Sequence, residues 1–127
     1  MIDLVVFDLA GTTVFDGDAV NATFRETLAS WNLQADPAFL HTVMGLPNPV
    51  GIRILLERFG EPRGVAPTPE NIDAIHEDFT RRMCDYYATS PDVREIPGAG
   101  AVFAALRGAG IRVAVNTGFF RPITRVL

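Results

Sequence analysis

The chain has 127 residues and a formal net charge of −4, and its composition is 48% hydrophobic and 20% charged. This length favours one compact domain, and the apolar fraction is high enough to exclude a disordered chain. All eleven basic residues are arginine, so the sequence excludes a lysine Schiff base and the lysine of a Walker A phosphate loop.

The first predicted element is a buried strand at residues 2–9, because this run is apolar and rich in β-branched residues. It ends at the small turn 10–13, after which the hydrophobic period changes to that of helices. Pro47 and Pro49 bracket Asn48 and predict a turn there. The helices predicted in this stretch are 18–33, with Asp16 or Asp18 as N-cap, then 37–45 and 52–60.

A longer helix is predicted from Pro69, because apolar residues recur there at spacings of three and four as far as Tyr86 or Tyr87. Residues 61–69 are too rich in proline and glycine for regular structure. After Pro97 we expect a helix, a buried strand and the start of another helix, at 98–110, 111–115 and after Arg121-Pro122. Strand, helix and strand at this spacing predict a right-handed crossover between parallel strands.

The predicted fold is therefore α/β, with a partial Rossmann-like parallel-sheet core and an inserted α-helical domain. Two strands are too few for a stable parallel sheet, which helices normally cover on both faces. We therefore expect a core that this chain only begins. The predicted parts are residues 1–15 (core, first strand and its loop), 16–95 (helical insertion) and 96–127 (core, helix, second strand and start of the next helix).

Several features bear on location and partners. Cys84 has no second cysteine with which to form an internal disulfide, and Met1-Ile2-Asp3 lacks the positive charge of a signal peptide. The apolar run 4–7 is far too short to span a membrane. The acidic net charge argues against nucleic-acid binding and against a polybasic membrane surface. We therefore expect a cytoplasmic protein whose partners are neither nucleic acid nor membrane.

The residues that suggest chemistry lie where the two predicted strands end. Asp8 ends the first strand, and Thr117-Gly118 follows the second. Because the carboxyl ends of parallel strands meet at one edge of a sheet, where α/β proteins bind ligands, we expect these residues to face one cleft. Asp8 is placed to be a nucleophile or a metal ligand, and amides of the following turn could hold an anion. For Asp8 alone, capping of the turn is an equally simple interpretation.

Taken together, the two motifs VVFDLAGTTV and VAVNTGF resemble those of the haloacid dehalogenase superfamily of phosphohydrolases. Within that superfamily they resemble the phosphonoacetaldehyde hydrolase-like branch, whose first motif contains Asp-x-Ala-Gly-Thr-Thr. The helical stretch between them is similar to the superfamily's inserted helical cap, and Met44-Gly45 resembles the entry to the substrate loop of that cap. The resemblance covers essentially the whole chain and the motifs occur in the same order. The length covered corresponds to the N-terminal part of the family.

The resemblance implies a role for each matched residue. Asp8 would attack phosphorus and form an aspartyl-phosphate, while Thr117 and the amide of Gly118 would hold a phosphoryl oxygen. Gly11 and Thr12 would also contact the phosphate. The implied substrate is a small phosphorylated or phosphonylated metabolite.

The resemblance also implies a cofactor, Mg²⁺, bound by the carboxylate of Asp8 and the backbone carbonyl of Ala10. Such an ion screens the charge between carboxylate and phosphate and stabilises the transferring group.

Three features depart from the family pattern. Position 10 is Ala, whereas most phosphatases of the superfamily carry there an Asp that acts as general acid and base. In the phosphonatase branch Ala is normal, but that branch uses a cap lysine that forms an imine. The matching position here is Asn48, which can hydrogen-bond a substrate but cannot form an imine. Finally, we expect the chain to be truncated before the third and fourth motifs, which supply a cation and acidic metal ligands.

Three hypotheses follow. The leading one is a haloacid dehalogenase-like phosphohydrolase, represented by its N-terminal part and inactive or weakened in this form. The second is a non-catalytic binding or interaction module, which Ala10 and Asn48 favour because neither handles protons. In the third, a partner chain or a swapped copy of the same chain supplies further strands, so that the protein is a homo-oligomer or a complex.

Overall fold

The computed structural model describes residues 1–127 and contains two short strands and six α-helices. In chain order the elements are β1 (Leu4–Phe7), α1 (Ala19–Ser30), α2 (Pro37–Val43), α3 (Asn48–Phe59), α4 (Pro69–Thr89), α5 (Ala99–Gly108), β2 (Arg112–Val115) and α6 (Arg121–Val126), with a 3-10 turn at Glu61–Arg63. The predicted α/β class and the strand–helix–strand order around α5 are confirmed. None of these helices combines the length and apolarity needed to cross a membrane.

The strands β1 and β2 pair in parallel, in a register that runs from Leu4 opposite Arg112 to Phe7 opposite Val115. Parallel pairing across a helix was predicted and is confirmed. Both strands are shorter than the predicted ranges 2–9 and 111–115. Each strand has one neighbour, and the pairing covers residues 4–7 and 112–115.

The prediction that the first strand is buried is wrong for β1. Leu4 and Val6 are 45% and 53% exposed, whereas the alternate residues Val5 and Phe7 are half-buried. Phe7, on the other face, packs edge-on against Phe103 of α5 with ring centroids 5.1 Å apart. Within the strand unit, α5 therefore covers the face of the sheet that carries Phe7, and Leu4 and Val6 lie on the opposite face.

The chain divides into two compact units. The strand unit comprises residues 1–17 and 89–117, and the helical unit comprises residues 18–88 and 118–127. The predicted domain limits after residues 15 and 95 remain a prediction. The structure adds that the stretch after Thr117, which contains α6, groups with the helices.

Every buried hydrophobic side chain lies in the helical unit. On α4 the apolar residues Ile72, Ile75, Phe79 and Met83 recur at three and four, so they share one face, and each is at most 4% exposed. The ring of Phe79 packs edge-on against Phe24 of α1, with centroids 5.3 Å apart. In the strand unit Thr13 alone is buried. The helical unit thus has a core of its own, and the strand unit does not.

A polar tie joins α1 to α4 within the helical unit. The Ser30 hydroxyl donates a hydrogen bond of 3.1 Å to the carboxylate of Asp78, which also accepts bonds from Arg81 and Arg82. Burial by itself would raise the pKa of Asp78, but the bonds from Arg82, Arg81 and Ser30 outweigh it and hold this pKa below its ordinary value.

The helix starts differ in part from those predicted. Asp18 precedes α1 but has a left-handed backbone (φ 66°) and makes no side-chain cap bond, whereas Asp36 caps α2 by accepting from the amide of Ala38. The turn predicted at Asn48 is wrong, because Asn48 is the first residue of α3. Pro49 then lies in the first helical turn, where its missing N–H leaves no intrahelical bond unmade.

Truncation of Phe79 should destabilise the protein far more than truncation of an exposed strand residue. We expect Phe79→Ala to lower the free energy of unfolding by about 3–5 kcal/mol, because it opens a cavity in the core. Val6→Ala, at a side chain that is 53% exposed, should change it by less than about 0.5 kcal/mol. Urea unfolding followed by circular dichroism measures both, and equal losses would contradict a core confined to the helices.

The loss of folding stability at acidic pH should depend on Asp78. Its folded-state pKa lies below the ordinary 3.8, so its stabilisation is complete above the ordinary pKa and is lost as pH falls through the lowered value. The variant Asp78→Asn should therefore lose less stability on acidification than the wild type. Asp85→Asn is the control on the same helix, because its carboxylate is 71% exposed and its ion pair is screened by solvent. Thermal unfolding across this pH range tests the difference, and identical acid responses of wild type and Asp78→Asn would refute it.

Candidate functional site

Two candidate residues lie at the same end of the strand pair. Asp8 directly follows β1, and Thr117 comes two residues after β2. The amide of Asn116 donates a hydrogen bond of 2.8 Å to the carbonyl of Phe7, so the pairing continues up to the residues on which the site is built. Parallel pairing therefore brings Asp8 and Thr117 to one edge of the sheet, as the strand ends predicted.

The carboxylate of Asp8 is exposed and oriented by its own turn. Its Oδ1 accepts a hydrogen bond of 2.8 Å from the amide of Leu9. An exposed carboxylate held in this way at the carboxyl end of a strand can reach a ligand that approaches the sheet edge. The same bond is also the turn cap that the sequence left open as an alternative, so capping and chemistry are compatible at this residue.

The loop after Asp8 uses its amides internally. The carbonyl of Leu9 accepts from the amides of Thr12, Thr13 and Val14, at 3.1, 2.9 and 3.0 Å, and the amide of Gly11 donates to the carbonyl of Val14 at 2.8 Å. Gly11 has φ +78°, a left-handed conformation that glycine adopts without strain. Phosphate contact through Gly11 and Thr12 remains a prediction, and for Thr12 the group left to make it is the side-chain hydroxyl.

Thr13 is a supporting residue to which the sequence pattern assigned no role. Its side chain is 5% exposed, and its hydroxyl donates to the carbonyl of Asp8 at 3.0 Å, with the carbonyl of Leu9 at 3.3 Å as a second acceptor. The hydroxyl thus ties the end of β1 to the loop. The signal available was the second threonine of Gly-Thr-Thr, which is too common in turns to imply burial.

A distant segment also supports the loop. The amide of Phe15 donates to the carbonyl of Arg94, and that of Ile96 donates to the carbonyl of Thr13, both at 2.8 Å. The guanidinium of Arg94 lies 4.2 Å from the centroid of the Phe15 ring. Sequence patterns gave no indication of this pairing, because it joins residues about eighty positions apart.

A cavity of about 240 Å³ lies beside the loop in the strand unit. It is mostly apolar, and its lining includes Phe7, Thr12, Thr13 and Phe103 but not Asp8. The cavity therefore adjoins the back of the loop rather than the candidate nucleophile.

The candidate metal ligands are hard oxygen donors, which is the chemistry that Mg²⁺ prefers. They are the carboxylate of Asp8 and the carbonyl of Ala10, whose residue bridges to Val14 within the loop. No group of three or more His, Cys, Asp or Glu side chains capable of holding a metal occurs in residues 1–127. The donors present fit Mg²⁺ in kind, and they leave most coordination positions to water and substrate, as is common for this ion.

The two remaining candidates belong to the helical unit. Asn48 is half-buried at the start of α3, and Gly118 begins the stretch that leads into α6. In that stretch Phe120 contacts the ring of His76 with centroids 4.2 Å apart, and Ile123 is fully buried. The pKa of His76 is lowered by burial, against the opposing effects of Asp73 and Glu77. The structure therefore groups Asp8, Ala10, Gly11, Thr12 and Thr117 in the strand unit and places Asn48 and Gly118 in the other.

Comparison with known proteins finds relatives that are all named phosphonoacetaldehyde hydrolase. The chain is 30% identical over 129 residues to the phosphonoacetaldehyde hydrolase of Paraburkholderia xenovorans (strain LB400), in a match that covers 96% of this chain and 48% of that protein. The chain spans about half the length of the curated relatives it matches. No family profile matches the sequence.

Solved structures share the fold over the whole chain. The crystal structure of CbbY from Rhodobacter sphaeroides in complex with phosphate matches with a TM-score of 0.77 and 25% identity, covering 100% of this chain and 56% of that one. A haloacid dehalogenase (HAD) hydrolase from Entamoeba histolytica matches with a TM-score of 0.77 and 19% identity, covering 99% of this chain and 53% of its own, and so shows the fold. The resemblance predicted from the two motifs is confirmed: the chain is similar to phosphonoacetaldehyde hydrolases and shares the fold of haloacid dehalogenase hydrolases.

Loss of the Thr13 hydroxyl should loosen the loop that follows Asp8. We expect the amides of Thr12, Thr13 and Val14 to exchange with solvent deuterium about fivefold faster in Thr13→Val, because a net hydrogen bond of about 1 kcal/mol is lost. Thr13→Ser retains the hydroxyl and is the matched control. Hydrogen exchange followed by mass spectrometry measures the effect, and wild-type exchange in Thr13→Val would show that the hydroxyl does not hold the loop.

Proposed function

We propose that this chain, which resembles the N-terminal half of phosphonoacetaldehyde hydrolases of the haloacid dehalogenase superfamily, acts in phosphoryl transfer with Asp8 as nucleophile. The substrate class is a small phosphorylated or phosphonylated metabolite. The observation that carries the proposal is the position of Asp8, an exposed carboxylate at the carboxyl end of β1 and at the same sheet edge as Thr117.

The proposed reaction has two steps. An oxygen of the Asp8 carboxylate forms a bond to phosphorus while the bond from phosphorus to the leaving group breaks, and the electron pair departs with that group. Water then attacks phosphorus, which releases phosphate and restores the carboxylate. The loop hydrogen bonds of Thr13 and Leu9 act before either step, because they hold the nucleophile in one orientation.

Thr117, Gly118 and Thr12 are the proposed phosphate ligands, and Asn48 is the proposed substrate contact. Gly11 is not proposed as a phosphate donor, because its amide donates to the carbonyl of Val14 within the loop. The supporting argument is chemical. The threonine hydroxyls and the amide of Gly118 can donate to phosphoryl oxygens without a positive side chain, which agrees with the acidic net charge.

Mg²⁺ is the proposed cofactor, with the carboxylate of Asp8 and the carbonyl of Ala10 as its protein ligands. When bound, it would offset the charge repulsion between the carboxylate and an incoming phosphate. A single carboxylate and a single carbonyl make a weak site, so we expect Mg²⁺ to bind together with the phosphoryl group rather than before it.

The residues at positions 10 and 48 restrict the leaving group. Ala10 cannot donate a proton to a departing alkoxide, and a missing general acid costs roughly 10²–10⁴ in rate. Asn48 cannot form an imine, and the sequence contains no lysine that could replace it. The site therefore favours leaving groups that depart without protonation, and imine-assisted cleavage of a carbon–phosphorus bond is not proposed for this chain.

A second candidate function is non-catalytic recognition of a phosphorylated ligand. Ala10 and Asn48 favour it, because both positions lack the group that would handle a proton or form an imine. The chain spans about half of its curated relatives, so the full activity, its substrates and a cytoplasmic location all remain proposals.

Phosphorylation of Asp8 distinguishes the two functions. The 127-residue chain is incubated with p-nitrophenyl phosphate and Mg²⁺, since nitrophenolate leaves without a proton donor. We expect release of nitrophenolate and a mass gain of one phosphoryl group in the acid-quenched protein. Asp8→Asn should abolish both. Asp3→Asn is the matched control, because Asp3 is an exposed aspartate at the opposite end of the same strand.

The negative outcomes are also informative. If none of the three proteins gains a phosphoryl group, Asp8 is not a nucleophile in this chain. Binding of a phosphate analogue such as vanadate, equal in wild type and Asp8→Asn, would then support the non-catalytic function. Loss of that binding in all three proteins would reject both candidates.

A further inference from the structure

The two aromatic residues that follow Gly118 both pack on α4. The ring of Phe119 lies edge-on to that of Tyr87 with centroids 5.9 Å apart, and the ring of Phe120 lies 4.2 Å from that of His76. His76 and Tyr87 are separated by about three helical turns, so they share one face of the helix. Segment 118–120 therefore contacts this face of α4 at two points.

The contact at His76 differs chemically from the contact at Tyr87. The Nε2 atom of His76 is buried and has no hydrogen-bond partner, and the same holds for the hydroxyl of Thr80, one turn further along the same face. A neutral imidazole tolerates such a place better than an imidazolium does, because a buried charge without a partner costs far more than an unpaired neutral atom. Protonation of His76 therefore opposes the closed contact with Phe120.

The contact with Phe120 can open without unpacking the core of the helical unit. Phe120 is 39% exposed, whereas Ile123, in the middle of α6, is fully buried and keeps that helix in place. Gly118 is exposed. Opening of the contact would therefore move the segment that carries Gly118 and leave the buried side of α6 where it is.

We propose that His76 is a positioning residue for Gly118. Its neutral ring holds Phe120, and with it segment 118–120, against α4, and protonation of the ring releases the segment. The release follows from the contacts of His76 alone. Its consequence for phosphate binding rests on the proposed function, in which the amide of Gly118 holds a phosphoryl oxygen.

The charges around His76 set the pH at which the release occurs. Burial lowers the pKa of His76 from the ordinary 6.5, while Asp73 and Glu77, which lie on α4 itself, oppose this with a smaller effect. Because the pKa is lower in the closed state, the contact is fully stable above about pH 6.5 and weakens as pH falls below that value. The elements that pack on α4 also carry exposed charges, which are Arg25 and Glu26 on α1 and Arg121 and Arg125 on α6.

Hydrogen exchange at two pH values tests the release without a ligand. Protection factors of segment 118–120, corrected for the intrinsic pH dependence of exchange, should fall by about three- to tenfold in the wild type between about pH 7.5 and about pH 5.5. The upper limit follows because the lower pH is about one unit below the ordinary pKa of 6.5. In His76→Phe, which retains a ring but cannot titrate, the two values should agree. His41→Phe is the matched control and should behave like the wild type, because His41 is the other histidine and is exposed on α2.

Two further measurements separate titration from packing. Tyr87→Leu removes the second ring contact and should lower the protection of the segment by the same factor at both pH values, because neither side chain titrates in this range. Proton NMR of the wild type should show that the His76 ring titrates below its ordinary value and that the ring signals of Phe120 change over the same range. The NMR result does not depend on the folding of any variant.

Phosphate affinity tests the consequence for Gly118. Inorganic phosphate is titrated with Mg²⁺ into the wild type and into His76→Phe, and the ratio of the two dissociation constants cancels the titration of phosphate itself. The ratio is compared between neutral pH and the pH at which exchange shows the segment released in most wild-type molecules. We expect the wild type to lose affinity relative to His76→Phe in proportion to the fraction released.

Three results would overturn the proposal. One is wild-type protection that does not change with pH, or that changes equally in His76→Phe. Another is a segment that stays closed in most molecules down to the pH of global unfolding. The last is an unchanged affinity ratio once the segment is released. If none of the proteins binds phosphate at either pH, the proposed role of Gly118 fails, and the exchange data alone decide whether His76 holds the segment.

Discussion

The parallel pairing of β1 with β2 is the interaction on which the candidate site depends. Because the strands run in the same direction, their carboxyl ends coincide, and Asp8 and Thr117 follow those ends. An antiparallel pair would have placed the two residues at opposite ends. The site therefore results from a crossover connection, with α5 leading into β2, that returns the chain in the same direction as β1.

This pairing is supported by few buried contacts. The buried apolar side chains all belong to the helical unit, whereas the strand unit has the hydroxyl of Thr13, the ring contact between Phe7 and Phe103, and backbone bonds around the loop. The loop after Asp8 is thus held in place mainly by hydrogen bonds. A local network of this kind positions one carboxylate well but buries too little area to stabilise a sheet by itself.

The chemistry of the site and the exposure of the sheet have one origin. A carboxylate and a carbonyl supply only part of a Mg²⁺ coordination sphere, and the strand that carries them has one neighbour and one covered face. In parallel sheets the next strand would cover the edge of β1 and would bring its own residues to the same end.

Local sequence patterns determined the order and type of the elements, the amphipathic face of α4 and the two strand ends that carry Asp8 and Thr117. These follow from hydrophobic period and from glycine and proline, which act over a few residues. The tertiary structure alone decided that β1 is exposed on one face, that Thr13 supports the loop, that residues 94–96 pair with it, and that α6 packs in the helical unit. Each of these depends on which distant segment is present to form a contact, and an apolar strand has the same sequence pattern whether or not a partner covers it.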